Sequence, residues 1–132
     1  MYNRKCSKYP LTELVGDPDL RGANADFYID DENADEIVNV LSDFGTKTRR
    51  ILYEITNNRY NTEHYEKLKG YKDVTAFVYK GKTNYRIFCR EFKDGKRKIV
   101  LIKAHHKKNT EYTKKELNIV NSIIKYVYEY SE

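Results

Sequence analysis

Three short β-type segments, separated by only a few polar residues, constrain the fold of this 132-residue chain more than any other feature. They are Val74–Lys80, Tyr85–Phe92 and Lys98–Ala104, and each contains the branched and aromatic residues typical of strands. Asp94-Gly95 is a strong hairpin signal between the last two. Strands joined by such short turns are antiparallel neighbours. The continuous apolar run Ile99-Val-Leu-Ile102 predicts that the third strand is central and covered on both faces.

Other stretches have the periodicity of amphipathic helices. The apolar residues of the first are Ile37, Val40, Leu41 and Phe44. Gly45 is expected to end that helix. A second helix, starting at Thr46 or Thr48, has Ile51, Leu52 and Ile55 on one face. A C-terminal helix is expected from Thr113, which has the spacing of a capping box with Glu116. Its apolar stripe is Leu117, Val120, Ile124 and Val127.

The order of these elements predicts an α+β domain. A short strand at Ala25–Ile29 precedes the two helices, which are expected to form an N-terminal helical hairpin packed on a small twisted antiparallel sheet, with the C-terminal helix added. Residues 1–22 contain both prolines and are expected to be an irregular N-terminal arm, with one helical turn at Leu11–Val15. Residues 23–132 are expected to form the domain, and the segment between Asn57 and Gly70 to be a connection.

The charge is distributed unevenly along the chain. The formal net charge is +5 at pH 7. Residues 1–64 hold 8 basic and 12 acidic side chains, whereas residues 65–132 hold 17 basic and 8 acidic side chains. A basic second half is typical of proteins that bind phosphate groups, but a lysine-rich solvated surface would have the same composition. Composition alone does not choose between these interpretations.

The chain is expected to be cytoplasmic. No apolar stretch is long enough to cross a membrane, and the N-terminus lacks the apolar centre of a signal peptide. Cys6 and Cys89 match no metal-ligand spacing. They are expected to be free thiols in a reducing compartment, with a disulfide as the alternative. The histidines have no metal-ligand spacing either, so no metal site is predicted.

The third strand leads directly into titratable and basic residues, in the segment His105-His-Lys-Lys108. Histidine exchanges protons near neutral pH, and cations stabilise the extra charge of a phosphorane. Such a set could cleave RNA: a base takes the ribose 2′-OH proton, cations hold the phosphate, and an acid protonates the leaving 5′-oxygen. Tyr112 is a further candidate acid or stacking ring. The alternative is a basic loop that contacts phosphate without performing chemistry.

The second strand places basic and aromatic side chains on one face, because alternate residues of a strand point to the same side. That face comprises Asn84, Arg86, Phe88, Arg90 and Phe92. Guanidinium groups bind phosphate and rings stack on bases, so this face suits nucleic acid. The alternative is that the rings pack under a helix while the arginine stems extend outward.

Four segments, in this order, resemble the RelE/HigB toxin superfamily, most closely its phage-derived HigB-like branch. They are Lys67–Tyr79, Asn84–Phe88, Ile99–Thr110 and Thr113–Glu116. The resemblance covers roughly residues 26–130 and is strongest from Leu68 to Glu116.

The resemblance implies a toxin of a type II toxin–antitoxin system. Such a toxin cleaves mRNA as an endoribonuclease, usually on the ribosome and without a metal or other cofactor. Its partner is an antitoxin, often a helix-turn-helix protein. The family's strand arginine falls on Arg86 and its lysine pair on Lys107 and Lys108, with His106 just before them. The predicted catalytic set therefore has Arg86 holding the phosphate, the two lysines beside it, His106 as base or acid, and Tyr112 in support.

The resemblance is incomplete at one strand. The family has an arginine where this chain reads Thr75-Ala-Phe-Val-Tyr79, so Lys80 or Lys82 would have to supply that charge. The predicted RNA-binding residues are Lys80, Lys82, Arg90, Lys103 and His105. The missing arginine and the extra arm keep an alternative open, which is a non-catalytic binding protein with the same fold or a gyrase-targeting toxin of the ParE kind.

Overall fold

A computed structural model describes residues 2–9, 25–57, 59, 61–81, 84–94, 96–106 and 113–132, and their centre is a seven-stranded mixed sheet. The strands are β1 (Tyr2–Lys8), β2 (Ala25–Asp30), β3 (Tyr65–Lys67), β4 (Val74–Tyr79), β5 (Tyr85–Asp94), β6 (Lys96–His106) and β7 (Tyr126–Ser131). The helices are α1 (Ala34–Asp43), α2 (Gly45–Thr56) and α3 (Lys114–Ile123). The strand order across the sheet is β3-β4-β5-β6-β2-β1-β7.

The middle of the sheet confirms the strand predictions. β4, β5 and β6 are antiparallel neighbours, and β6 also pairs with β2. The run from Ile99 to Ile102 is at most 2% exposed, because neighbouring strands flank it and helices cover both faces. The predicted strand at Ala25–Ile29 is β2.

The predicted sheet architecture is wrong. β2 runs parallel to β6 and β7 runs parallel to β1, so the sheet is mixed rather than antiparallel. It is also larger than the expected small sheet under an N-terminal helical hairpin. The additional strands β1, β3 and β7 come from segments that were expected to be an arm, a connection and the end of a helix.

β1 replaces part of the predicted irregular arm, and a buried ion pair fixes its position. Arg4 of β1 donates two hydrogen bonds to the Asp30 carboxylate of β2, with N–O distances of 2.7 and 2.9 Å. The Tyr128 hydroxyl of β7 donates to the same carboxylate. Because Asp30 is fully buried, these donors are needed to offset its desolvation. The predicted helical turn at Leu11–Val15 lies outside the described residues.

β7 replaces the second half of the predicted C-terminal helix. The capping box of Thr113 and Glu116 is confirmed, but α3 ends at Ile123. Beyond it, Tyr126, Tyr128 and Tyr130 alternate with more exposed residues, which is the two-residue period of a strand. The prediction that the helix continues to Val127 is therefore wrong.

The two predicted helices before the hairpin are confirmed with one shift. Gly45 begins α2 rather than ending α1, and Phe44 is the junction residue. The predicted connection contains the short strand β3, which pairs with β4. Its three residues are too few to show a clear alternation in the sequence.

The helices cover both faces of the sheet. α1 and α2 contribute Ile37, Leu41 and Ile51 to the core on one face, whereas α3 contributes Val120 and Ile123 to the core on the other. Cys89 lies in the first core and Cys6 in the second. Both thiols are free, as the sequence predicts, and both are buried.

Candidate functional site

The predicted chemistry lies where β5 begins and β6 ends, which we call the open end (Tyr85, Arg86, His105 and His106). The antiparallel register places Arg86 opposite His105 and Tyr85 opposite His106. Directly opposite residues have Cβ atoms about 5 Å apart and side chains on the same face. Arg86 and His105 therefore share the α3 face, whereas Tyr85 and His106 share the face of α1 and α2.

The structure does not bring the predicted pair of Arg86 and His106 together. The His106 ring packs against Tyr85, with centroids 5.0 Å apart, and it is exposed on the opposite face from Arg86. Adjacent residues of a strand point to opposite faces, so only one of the two histidines can lie beside the arginine. That residue is His105, which the sequence indicated only for RNA binding.

A buried carboxylate faces His105 from the first turn of α3. The His105 Nε2 atom lies 3.5 Å from Glu116 Oε2, and the Glu116 side chain is 3% exposed. The other oxygen, Oε1, accepts a hydrogen bond of 2.9 Å from the backbone N–H of Thr113. The capping box thus fixes the carboxylate, and the carboxylate orients the imidazole.

The Arg86 side chain is almost buried and has an acidic neighbour of its own. Its Nε lies 3.6 Å from Glu66 Oε1, and one terminal nitrogen donates to the Tyr85 carbonyl at 3.2 Å. The Arg86 side chain is 10% exposed, and Nε is a buried nitrogen without a hydrogen-bond acceptor. A buried guanidinium N–H without an acceptor is costly, so an anionic ligand that reaches it would be favoured.

The other described candidates are Lys103, Arg90 and Lys80, and the first two have partners of their own in the fold. Lys103 forms an ion pair with Glu36 of α1, with a nitrogen–oxygen distance of 3.1 Å. Arg90 donates to the Tyr126 carbonyl at 2.9 Å, and its guanidinium lies over the Phe92 ring. Lys80 is exposed just after β4. These contacts anchor Arg90 and Lys103 within the fold rather than directing them to a shared ligand.

The remaining predicted site residues lie outside the described residues. They are Lys82, Lys107, Lys108 and Tyr112.

The residues that the sequence reading missed are the two carboxylates. Glu116 was visible as the last residue of the capping box, but its role toward His105 depends on how α3 packs against β6. Glu66 belongs to a three-residue strand and has no sequence signal. Phe88, which stacks with His105 at a centroid distance of 6.3 Å, is fully buried, so that ring packs under α3 as the alternative interpretation proposed.

The open end thus combines an oriented imidazole, a nearly buried arginine and two carboxylates on one face. This combination can bind an anion and move a proton beside it. Comparison with protein-family models, curated proteins and solved structures gives no match to this chain. No helix among the described residues has the length and apolar character needed to cross a membrane.

Proposed function

We propose that the chain is an endoribonuclease whose active site is the α3 face of the open end, where Arg86, His105 and Glu116 lie. The observation that carries the proposal is that His105 lies opposite Arg86 and against the buried carboxylate of Glu116. The residues support this proposal independently of the RelE-type fold, which the mixed seven-stranded sheet does not reproduce.

The proposed reaction is an internal transfer within the RNA backbone. His105 takes the proton of a ribose 2′-OH, and the 2′-oxygen forms a bond to the adjacent phosphorus while the bond to the 5′-oxygen breaks. Arg86 stabilises the negative charge that develops on the phosphate oxygens. Glu116 stabilises the imidazolium. The leaving 5′-oxygen takes a proton from water, and His105 returns its proton to solvent, which leaves a 2′,3′-cyclic phosphate.

The adjacent histidines provide a matched test. His105→Gln removes the proposed base, so we expect cleavage of a single-stranded RNA by the purified protein to fall by about 100-fold or more. His106→Gln alters the neighbouring imidazole on the opposite face, and its cleavage rate should stay within about threefold of the original protein. Products are separated by electrophoresis, in buffer with and without EDTA, and both variants are checked by urea unfolding.

The expected result is a cyclic-phosphate product from the RNA and none from the same sequence with 2′-O-methyl groups. Equal losses in both histidine variants, with unchanged stability, would remove His105 from its proposed role. Cleavage of the methylated strand would exclude attack by the 2′-oxygen.

The cellular role that accompanies this activity is that of a type II toxin, which cleaves mRNA on the ribosome and is neutralised by a helix-turn-helix antitoxin. This part rests on the sequence resemblance. Induced expression in bacteria should arrest growth and create internal mRNA ends, and His105→Gln should abolish both effects. Arrest with intact mRNA would instead indicate a protein target such as gyrase.

A second candidate is a protein that binds RNA at the same end without cleaving it. The nearby Glu66 carboxylate favours it, because a guanidinium that is already partly neutralised stabilises the extra charge of a transition state less. Binding of RNA with no cleaved product, at enzyme concentrations above the RNA concentration, would select this candidate over the nuclease.

A further inference from the structure

The other end of the β5–β6 pair, next to its turn, has a cleft of about 690 Å³. It lies where β5 extends beyond the start of β4, since Val74 is opposite Arg90 and the Glu91 N–H donates to the Asp73 carbonyl. Four lysines line it, and we call it the lysine cleft: Lys67, Lys72, Lys93 and Lys98. These lysines belong to three strands and a turn, so only the fold brings them together.

Ion pairs within the described part of the chain leave most of this positive charge available. Lys67, Lys72 and Lys93 are exposed, and no carboxylate of the described residues forms an ion pair with their ammonium groups. Two carboxylates, Asp73 and Glu91, also line the cleft. Four ammonium groups against two carboxylates leave an excess of positive charge that attracts anions.

The Glu91 carboxylate, which lines the cleft, already accepts two hydrogen bonds. It accepts a hydrogen bond of 2.6 Å from Arg97 and one of 2.9 Å from the Tyr65 hydroxyl. Burial raises the pKa of Tyr65, so its hydroxyl stays protonated and continues to donate. Because Arg97 neutralises Glu91, the carboxylate opposes an incoming anion less than its position would suggest.

One wall of the cleft is aromatic. Tyr71, Phe92 and Tyr130 line it, and the Lys98 ammonium lies 4.8 Å from the centroid of the Tyr130 ring. Rings beside ammonium groups provide a surface for a planar group next to positions for its phosphate. Inorganic phosphate would use only the lysines, whereas a nucleotide would use both.

We propose that the lysine cleft binds the phosphate of a nucleotide, with the base against the aromatic wall. The nucleotide could be free or part of a strand, because both present the same phosphate and ring. The cleft is separate from the open end: Phe92 lies six residues from Arg86 along β5, which corresponds to about 20 Å. The proposal therefore does not depend on the proposed cleavage reaction.

The test measures binding to ADP by calorimetry and to a short fluorescein-labelled oligodeoxythymidylate by anisotropy. The oligonucleotide has no 2′-OH, so failure of the proposed nuclease activity cannot affect the result. We expect the double variant Lys67→Gln and Lys93→Gln to bind roughly tenfold more weakly, since two ammonium–phosphate contacts are lost. The matched control replaces Lys5 and Lys125 by Gln, because both are exposed and lie outside the cleft.

If ADP binds and the cleft variant weakens its binding, the result supports a site for free nucleotides. Binding of the oligonucleotide alone, weakened by the same variant, would support a site for a strand. Tyr71→Leu should weaken either nucleotide probe more than inorganic phosphate. The proposal is overturned if neither probe binds, or if the cleft variant and the control variant bind equally.

Discussion

The two ends of the β5–β6 pair handle positive charge in opposite ways. At the open end, the basic groups lie beside carboxylates, with Arg86 near Glu66 and His105 near Glu116. At the other end, Lys67, Lys72 and Lys93 surround the lysine cleft without ion-pair partners among the described residues. Among the residues that the structure describes, the open end is therefore the more balanced of the two.

The difference follows from where each set of charges originates. At the open end, the packing of α3 brings Glu116 to His105, and the pairing of β3 brings Glu66 to Arg86. The cleft collects lysines that are far apart in the sequence. Charge density along the chain predicts charge density in space only when no other element contributes to the same region. The comparison also separates the two proposed roles, which are proton transfer at the open end and nucleotide binding at the lysine cleft.

The largest expected effect is a loss of stability when Glu91, which lines the lysine cleft, is replaced. Glu91→Ala removes the acceptor of the buried Tyr65 hydroxyl and the nearest carboxylate of Arg97. We expect the free energy of unfolding to fall by about 3 kcal/mol, measured by urea denaturation. Glu66→Ala at the open end should cost about 1 kcal/mol, since Glu66 is 28% exposed and lies 3.6 Å from Arg86.

Glu91→Gln is the matched control, because it keeps an oxygen acceptor for Tyr65 and loses only the charge. It should cost less than Glu91→Ala. Equal destabilisation by Glu91→Ala and Glu66→Ala would mean that the two carboxylates contribute equally to stability. That result would contradict the expected difference between the two ends.

A smaller effect is expected on binding at the open end. Glu66→Gln removes the charge nearest to Arg86, so the arginine should attract a phosphate more strongly, with RNA affinity rising by about threefold. Glu63→Gln is the control, since it makes the same charge change at an exposed position three residues away. Affinity is measured by anisotropy with uncleavable 2′-O-methyl RNA. A similar rise in both variants would indicate a general charge effect and not release of Arg86.

The sequence predicted the local elements well where periodicity and turn chemistry agree. The apolar stripes of α1 and α2 and the buried run of β6 depend on neighbouring residues, so they could be recognised without the fold. β1 could not, because Arg4 has a reason to be in a strand only once Asp30 and Tyr128 lie beside it. β7 could have been recognised, since its tyrosines alternate with a period of two.

The candidate site was predicted by region but not by residue. Sequence reasoning located the strand end and Arg86, yet it preferred His106 because the family resemblance placed it there. The choice between two adjacent histidines depends on the register of β5 and β6, which places His105 opposite Arg86. The lysine cleft was not predicted, because its members share no segment of the chain.

The smallest effect is expected at the two buried thiols, Cys6 of β1 and Cys89 of β5. Burial raises the pKa of Cys6 from 9.0 to about 12 and also raises the pKa of Cys89. At pH 8, below both pKa values, hardly any reactive thiolate forms, so a disulfide reagent should label neither cysteine until urea unfolds the protein. Cys89 lies on β5 between the open end and the lysine cleft. Rapid labelling of Cys89 in the folded protein would show that β5 separates from its neighbours between the two ends. The two ends would then not belong to one continuously paired sheet.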